Sequence, residues 1–297
     1  MDSIETTITK NHKQENFPVG SWLLSKKIRS KILIFYKFAR AADDIADSAN
    51  LSSNEKIKRL NLFKKAIESN KSNKIKISKV EDLRKICIKN KIKINHALNL
   101  LKAFKQDAIK KRYKNWSELI RYCKYSAVPV GRFVIDLHKE KQKAYKYSDP
   151  LCIALQILNH LQDCKEDYEN LDRVYLPMQF LKKYNVKLSQ LKKNVTEKNL
   201  RLVFNEILKN TEKLIIEAIL EARNEKLIHA MKDLGGGGLS CAVSETADAL
   251  DIGIEMDVDK VHTRESDMSP DEIMVSESQE RMLIITDSVK LIKFQDI

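Results

Sequence analysis

Two pairs of carboxylates constrain this chain more than anything else in it: Asp43 with Asp47, in Asp43-Asp44-Ile45-Ala46-Asp47, and Asp163 with Asp167, in Asp163-Cys164-Lys165-Glu166-Asp167. Residues four apart on a helix share a face, and like charges there repel by about 0.2–0.5 kcal/mol. Two such pairs in one chain raise the question of which cations offset them. Mg²⁺ is the expected one, because it is hard, prefers oxygen ligands and is commonly held by one or two carboxylates together with substrate phosphates. The plain alternative for either pair alone is a solvated helix face. Their surroundings argue against it. Asp43 and Asp47 follow Ile32-Leu33-Ile34-Phe35-Tyr36 and stand among Ala39, Ala41, Ala42, Ile45 and Ala46, so one face of that helix is buried. The second pair closes Ala154-Leu155-Gln156-Ile157-Leu158-Asn159-His160-Leu161-Gln162, again apolar at helical spacing. Carboxylates beside buried faces in two distant helices point to a lined cavity.

The chain is 297 residues long and 43% hydrophobic, enough for one large domain and a small one. Gly and Pro are scarce before Leu214, which suits a helical domain. The apolar spacing predicts helices over 28–47, 54–70, 80–88, 92–111, 116–137, 148–168, 178–184 and 197–230, and strands over 252–258 and 282–286.

The first two hundred or so residues resemble the head-to-head prenyl synthases, the family of squalene and phytoene synthases, from about Asn16 to about Thr211. Three ordered stretches carry the likeness: Tyr36-Lys37-Phe38-Ala39-Arg40-Ala41-Ala42-Asp43 with the acids that follow; Tyr122-Cys123-Lys124-Tyr125-Ser126-Ala127-Val128-Pro129-Val130-Gly131; and Leu158-Asn159-His160-Leu161-Gln162-Asp163 through Tyr168, followed by Arg173-Val174-Tyr175-Leu176-Pro177. Within the family, Asn16-Phe17-Pro18-Val19, Pro129-Val130-Gly131-Arg132-Phe133 and Asn159-His160-Leu161-Gln162-Asp163-Cys164 look most like bacterial hydroxysqualene synthases.

The resemblance implies an all-α isoprenoid-synthase fold with a central cavity. In it Asp43, Asp47, Asn159, Asp163 and Asp167 would hold Mg²⁺ against a diphosphate, Arg40, Gln156 and Asn159 would bind substrate, and Tyr36, Arg40 and Tyr122 would be the catalytic side chains. Charge on a departing diphosphate would be stabilised by Mg²⁺ and Arg40, and the resulting carbocation by aromatic faces. For Tyr36 and Tyr122, ordinary helix packing stays open as the alternative. The implied substrate is presqualene diphosphate and the implied product hydroxysqualene; condensation of two prenyl diphosphates is the rival reaction. The chain carries no G-x-G-x-x-G fingerprint of a nicotinamide site. Gln162 departs from the family pattern, in which many members carry Arg at that position.

The composition changes near Leu214. Beyond it Lys and Arg number 8 against 18 Asp and Glu, whereas the preceding part has 46 against 23. Such a shift marks a domain boundary, a fusion or an artefact, and the expected division is 1–213 and 214–297. Lys232-Asp233-Leu234-Gly235-Gly236-Gly237-Gly238-Leu239-Ser240, Gly253-Ile254-Glu255-Met256-Asp257 and Ser276-Glu277-Ser278-Gln279-Glu280-Arg281-Met282-Leu283 resemble an internal stretch of phosphoribosylformylglycinamidine synthase, to about Leu291. The alternative for the glycines is a flexible linker. A fragment this short implies a small α+β piece without purine-synthesis activity, and Asp233, Glu277 and Glu280 are not expected to form an active site. It also stands where the family's closing helices belong, so the synthase fold is expected to be truncated at its C-terminal end. Apolar cavity wall left open in this way forgoes about 1.5–3 kcal/mol for each large side chain that stays exposed.

The formal net charge is +13. Lys is spread over helices without interleaved aromatics, so nucleic acid is not an expected partner; peripheral contact with anionic lipid is the expected use of the charge, and a Lys-rich surface without a partner stays open. No apolar run reaches 18 residues and Met1-Asp2-Ser3 opens no signal peptide, so the expected location is cytoplasmic. Cys87, Cys123, Cys152, Cys164 and Cys241 show no C-x-x-C spacing and read as reduced thiols. His12, His96, His138, His160, His229 and His262 form no metal motif. Oligomeric state is not legible in the sequence.

Overall fold

A computed structural model of the chain describes residue 4 and residues 26–69, 76–140, 142–193, 195–224, 229–234, 236–261, 263, 268–276 and 282–285. The chain divides into two compact units, Met1–Ile219 and Leu220–Gln295.

The first unit is helical: α1 (Lys26–Asp47), α2 (Ser53–Glu68), α3 (Ser78–Asn90), α4 (Asn95–Asp107), α5 (Trp116–Ser126), α6 (Val128–Leu137), α7 (Tyr145–Gln162), α8 (Cys164–Leu171), α9 (Met178–Lys183) and α10, which runs Lys198–Asn224. Helix α1 buries Phe35, Phe38, Ala41, Ala42, Ile45 and Ala46 at helical spacing. The three alanines let α2, α3 and α4 approach closely, and Phe35 stacks on Phe133 of α6 with ring centres 4.0 Å apart. A second apolar cluster joins Tyr113, Leu119, Tyr122, Ile153, Ile157 and Val174 to Leu200, Val203 and Ile207 of α10.

Two expected helices are each divided. The 116–137 segment breaks at Ala127 because Pro129 sits in the first turn of α6, has no N–H to donate to the preceding turn and crowds the carbonyl four residues back. The 148–168 segment bends at Asp163, whose φ of −92° and ψ of 3° leave the helical region. Asp167 N–H still donates to the Asp163 carbonyl at 2.8 Å, so the two acids remain one turn apart across the bend. Val130 and Leu155, on α6 and α7, are 39% and 56% exposed despite being apolar.

The second unit contains an antiparallel pair, β1 (Ala230–Asp233) and β2 (Met282–Ile285), in the register Ala230 to Ile285 and Asp233 to Met282, with α11 (Gly238–Leu250) and α12 (Pro270–Val275). The expected helix to 230 is overturned at its end: α10 is described as Lys198–Asn224, and Ala230 pairs with another strand. The strand expected at 282–286 is present as β2. The one expected at 252–258 is not: Asp251 is left-handed at φ 52°, residues 252–257 take no regular structure, and a single 3-10 turn covers Val258–Lys260. Alternation alone does not make a strand without a neighbour to accept its hydrogen bonds, and among the described residues that segment has none. Gly237 and Gly238 open α11 with φ of 85° and 59°, and a Cβ on Gly238 would stand 2.7 Å from the Ser276 carbonyl oxygen. These glycines make a tight turn against α12 that other residues would strain.

Candidate functional site

The Asp43 and Asp47 carboxylates project from the C-terminal end of α1, beside its buried alanines. Arg40 on the same helix donates to Asp43 Oδ2 at 2.6 Å and through Nε to Asp44 Oδ1 at 2.9 Å. Asp44, an acid to which the sequence assigned no role, is the most buried of the three at 2% exposure. Burial, and next to it the charge of Asp47, holds the Asp43 carboxyl well above the usual carboxylate range.

Arg173 joins α1 to the rest of the site. Asp172 ends α8 in a left-handed conformation at φ 50°, and Arg173 N–H then donates to the Asp167 carbonyl at 3.0 Å. The following segment pairs with 111–114: Val174 N–H donates to the Lys111 carbonyl at 2.9 Å and Met178 N–H to that of Tyr113 at 2.8 Å. This anchoring carries the Arg173 guanidinium to Asp47, with a nitrogen 2.9 Å from Oδ1, and to the Asp107 carbonyl, donating at 3.0 Å. Burial alone would lower the Arg173 pKa; the negative potential of Tyr175, Asp107 and Asp47 more than offsets it, so the guanidinium stays charged.

Asp107, at the end of α4, is 2% exposed and accepts hydrogen bonds from Tyr122 at 2.6 Å and Tyr175 at 3.0 Å. Burial pushes its carboxyl up to about 6, against the pull of Arg173 and of the Tyr122 hydrogen bond. His160 stacks on Tyr175 with ring centres 3.6 Å apart, and Gln156 Nε2 lies 3.1 Å from His160 Nε2. Burial, with Arg173 adding to it, drops His160 to about 3, so it is neutral at neutral pH. Asp167 is pushed up to about 7 by burial, with Arg173 opposing the rise and Asp163, Asp47 and Asp107 adding to it. The residues proposed from the sequence thus meet in part. Asp47 and Tyr122 reach one network through Arg173 and Asp107, Gln156 enters it through His160, and Asp167 is coupled to it electrostatically through Arg173, Asp47 and Asp107, with Asp163 acting on Asp167. Arg40 and Asp43 are joined on α1; Tyr36 and Asn159 are half-buried on α1 and α7. The Asn16-Phe17-Pro18-Val19 stretch lies outside the described residues, as do Glu277 and Glu280.

Asp107, His160, Arg173 and Tyr175 are the residues that sequence reasoning left without a binding or catalytic role. Arg173 and Tyr175 stood in a family-like stretch, which was a usable signal. Asp107 offered none, being a lone acid at a helix end.

The donor set suits a hard cation: it is all oxygen, burial holds the Asp43 and Asp167 carboxyls above their usual range, and Asp47 Oδ1 is buried without a hydrogen bond, its contact being the ion pair to Arg173. Among the described residues no three carboxylate, His or Cys groups close into a chelating cluster.

The sequence model of squalene/phytoene synthase matches residues 10–227, well over half of the chain. The chain belongs to the squalene/phytoene synthase family. A hydroxysqualene synthase of Sinorhizobium fredii is 43% identical over 180 residues, 61% of each protein. The chain thus spans about 61% of the length of that relative. Among solved structures, a squalene synthase from Alicyclobacillus acidocaldarius superposes with a TM-score of 0.59 at 25% identity, covering 71% of this chain and 78% of that one, so the first unit of this family member has the isoprenoid-synthase fold. Residues 190–297 match the C-terminal domain of AIR synthase related proteins. The phosphoribosylformylglycinamidine synthase subunit PurL of Thermococcus sibiricus is 58% identical over 73 residues, 25% of this chain and 10% of that protein. Both sequence resemblances are borne out, and the family match runs past Thr211 to overlap the second match between 190 and 227. Among the described residues no helix is long and apolar enough to cross a membrane.

Proposed function

We propose that residues 1–213 form a Mg²⁺-dependent prenyl-diphosphate enzyme that ionises presqualene diphosphate and lets water capture the cation, giving hydroxysqualene and diphosphate, and that residues 214–297 are a purine-enzyme-like fragment without a catalytic part. One observation carries the reading: Asp47 and Asp167, from helices far apart in sequence, both feel a single buried guanidinium, Arg173.

Asp43, Asp47, Asn159, Asp163 and Asp167 are the residues that would hold the metal. Bound there, Mg²⁺ supplies charge neutralisation for the departing diphosphate. Arg40, which contacts Asp43, would exchange that contact for a phosphate oxygen, a trade of one charge-assisted hydrogen bond for another. Breaking the carbon–oxygen bond leaves the electron pair on diphosphate and an electron-poor carbon in the cavity. The π-faces of Tyr36 and Tyr122 are suited to stabilise it. His160, kept neutral by burial, adds no positive charge to oppose it. Water then adds to the carbon and its proton passes to a diphosphate oxygen.

A second reading, a non-catalytic chimera, is favoured by the purine-enzyme-like match over residues 190–297. Purified full-length protein incubated with presqualene diphosphate and Mg²⁺, without a nicotinamide, separates the readings by mass spectrometry of the organic products. Hydroxysqualene supports the first, no product from folded protein supports the second, and product from a linear allylic diphosphate alone moves the reaction to prenyl condensation.

A further inference from the structure

A polar cavity, about 320 Å³ in volume, lies in the first unit between α4, α5, α6 and α7. Its charged groups are mostly matched. Arg132 Nε donates to Asp149 at 2.9 Å, a second guanidinium nitrogen reaches the other carboxylate oxygen, and the group stands 4.7 Å from the Tyr145 ring centre. His96 Nε2 lies 2.8 Å from Asp136, which also accepts from Tyr145. Lys102 donates to Asn99 at 3.2 Å at the rim.

Arg121 and Lys124 are different. Both line the cavity from α5, both are exposed, and among the described residues neither meets a carboxylate. Asp149 and Asp136 are already engaged, so this pair leaves the wall with uncompensated positive charge, and a concave wall concentrates the field of such charges. Beneath them Val128, Pro129 and Ile153 form an apolar, buried floor. The neighbouring Tyr122 turns the other way, with its hydroxyl on Asp107 at 2.6 Å. Helix α5 therefore presents one face to the acidic centre and another to this cavity.

We propose that this cavity is a phosphate-binding site separate from the acidic centre, with Arg121 as a planar two-pronged donor, Lys124 as a point charge and the apolar floor receiving the organic part next to the phosphate. The phosphate belongs either to free diphosphate or to an anionic lipid headgroup. The site requires no particular reaction at the acidic centre.

The test uses full-length protein in Mg²⁺-free buffer with two probes: inorganic diphosphate followed by calorimetry, and phosphatidylglycerol against phosphatidylcholine vesicles followed by co-sedimentation. The paired substitution Arg121→Gln with Lys124→Gln is expected to weaken binding about tenfold or more, the loss of one to two charge-assisted contacts. A control of equal charge, Lys89→Gln with Lys93→Gln, uses exposed residues away from the cavity and is expected to change little. Loss for diphosphate assigns the free anion, and loss for vesicles assigns the headgroup. The proposal is overturned if the native protein binds neither probe, or if both double variants weaken binding equally, since general surface charge then explains it.

Discussion

The Arg173 guanidinium holds Asp47 at 2.9 Å while it donates to the Asp107 carbonyl at 3.0 Å, so one buried cation links the end of α1 to the end of α4. The Arg173 side chain is 4% exposed and that of Asp107 is 2% exposed, so solvent does little to screen the arrangement. Arg173→Met leaves these carboxylates without their counter-charge. The expected cost is about 3–5 kcal/mol, the range for breaking one side of a buried ion pair. Urea unfolding followed by far-UV circular dichroism measures it, and a loss below 1 kcal/mol (about the worth of a surface pair) contradicts the burial argument.

Asp43→Asn and Asp163→Asn each remove one metal-ligand candidate. Turnover of presqualene diphosphate is expected to fall by about 100-fold or more, while the Asp43 variant keeps its fold because it also relieves repulsion from Asp47. Unchanged turnover in both variants removes the case for a metal held by these acids.

Tyr122→Phe deletes the 2.6 Å hydrogen bond to Asp107 and leaves the ring in place. A buried carboxylate that loses one of its partners costs about 1–3 kcal/mol. Thermal unfolding of the variant checks the stability term. Turnover that falls much further than stability assigns the phenol a part in the chemistry as well.

His160 gives the pH dependence a sign. Its folded pKa is lowered to about 3 by burial and by Arg173, while in an unfolded chain it lies near 6.5. Between those values the unfolded chain binds the extra proton, so this group destabilises the fold progressively as pH falls from about 6.5, by at most about 1.4 kcal/mol per pH unit, and contributes nothing above it. Asp107, raised to about 6, works oppositely: the folded state keeps its proton longer, and stability is lost as pH rises from about 3.9 through 6. Unfolding curves for native protein and His160→Gln are expected to differ by the same amount at pH 7 and pH 8, with the variant gaining on native protein as pH falls from 6 to 4. A constant difference across that range excludes the linkage.

Gly238→Ala tests the second unit by itself. The left-handed backbone costs a side chain about 1–2 kcal/mol, and the added methyl group meets the Ser276 carbonyl oxygen at 2.7 Å. Faster hydrogen exchange at Ala230–Asp233 and Met282–Ile285 is expected, with exchange in α1 to α7 unchanged. Protection equal to native would mean that the turn relaxes freely.

The helices of the first unit were legible because apolar residues recur every three or four positions, a pattern set by helix geometry alone. So were the acidic pairs, since one turn of α1 places Asp43 and Asp47 together whatever the rest of the chain does. The change in composition near Leu214 was equally local, and it falls within residues 190–227, where the two family matches overlap. What sequence periodicity did not reveal depends on contacts between distant residues. Asp107 becomes part of the site only because the 173–178 segment pairs with 111–114 and brings Arg173 and Tyr175 beside it. The 282–285 strand forms because 230–233 lies alongside, and 252–257 stays irregular for want of such a neighbour. Periodicity fixes which face of an element is apolar, whereas the partner of that face, and the charge that a buried carboxylate meets, are decided by tertiary packing.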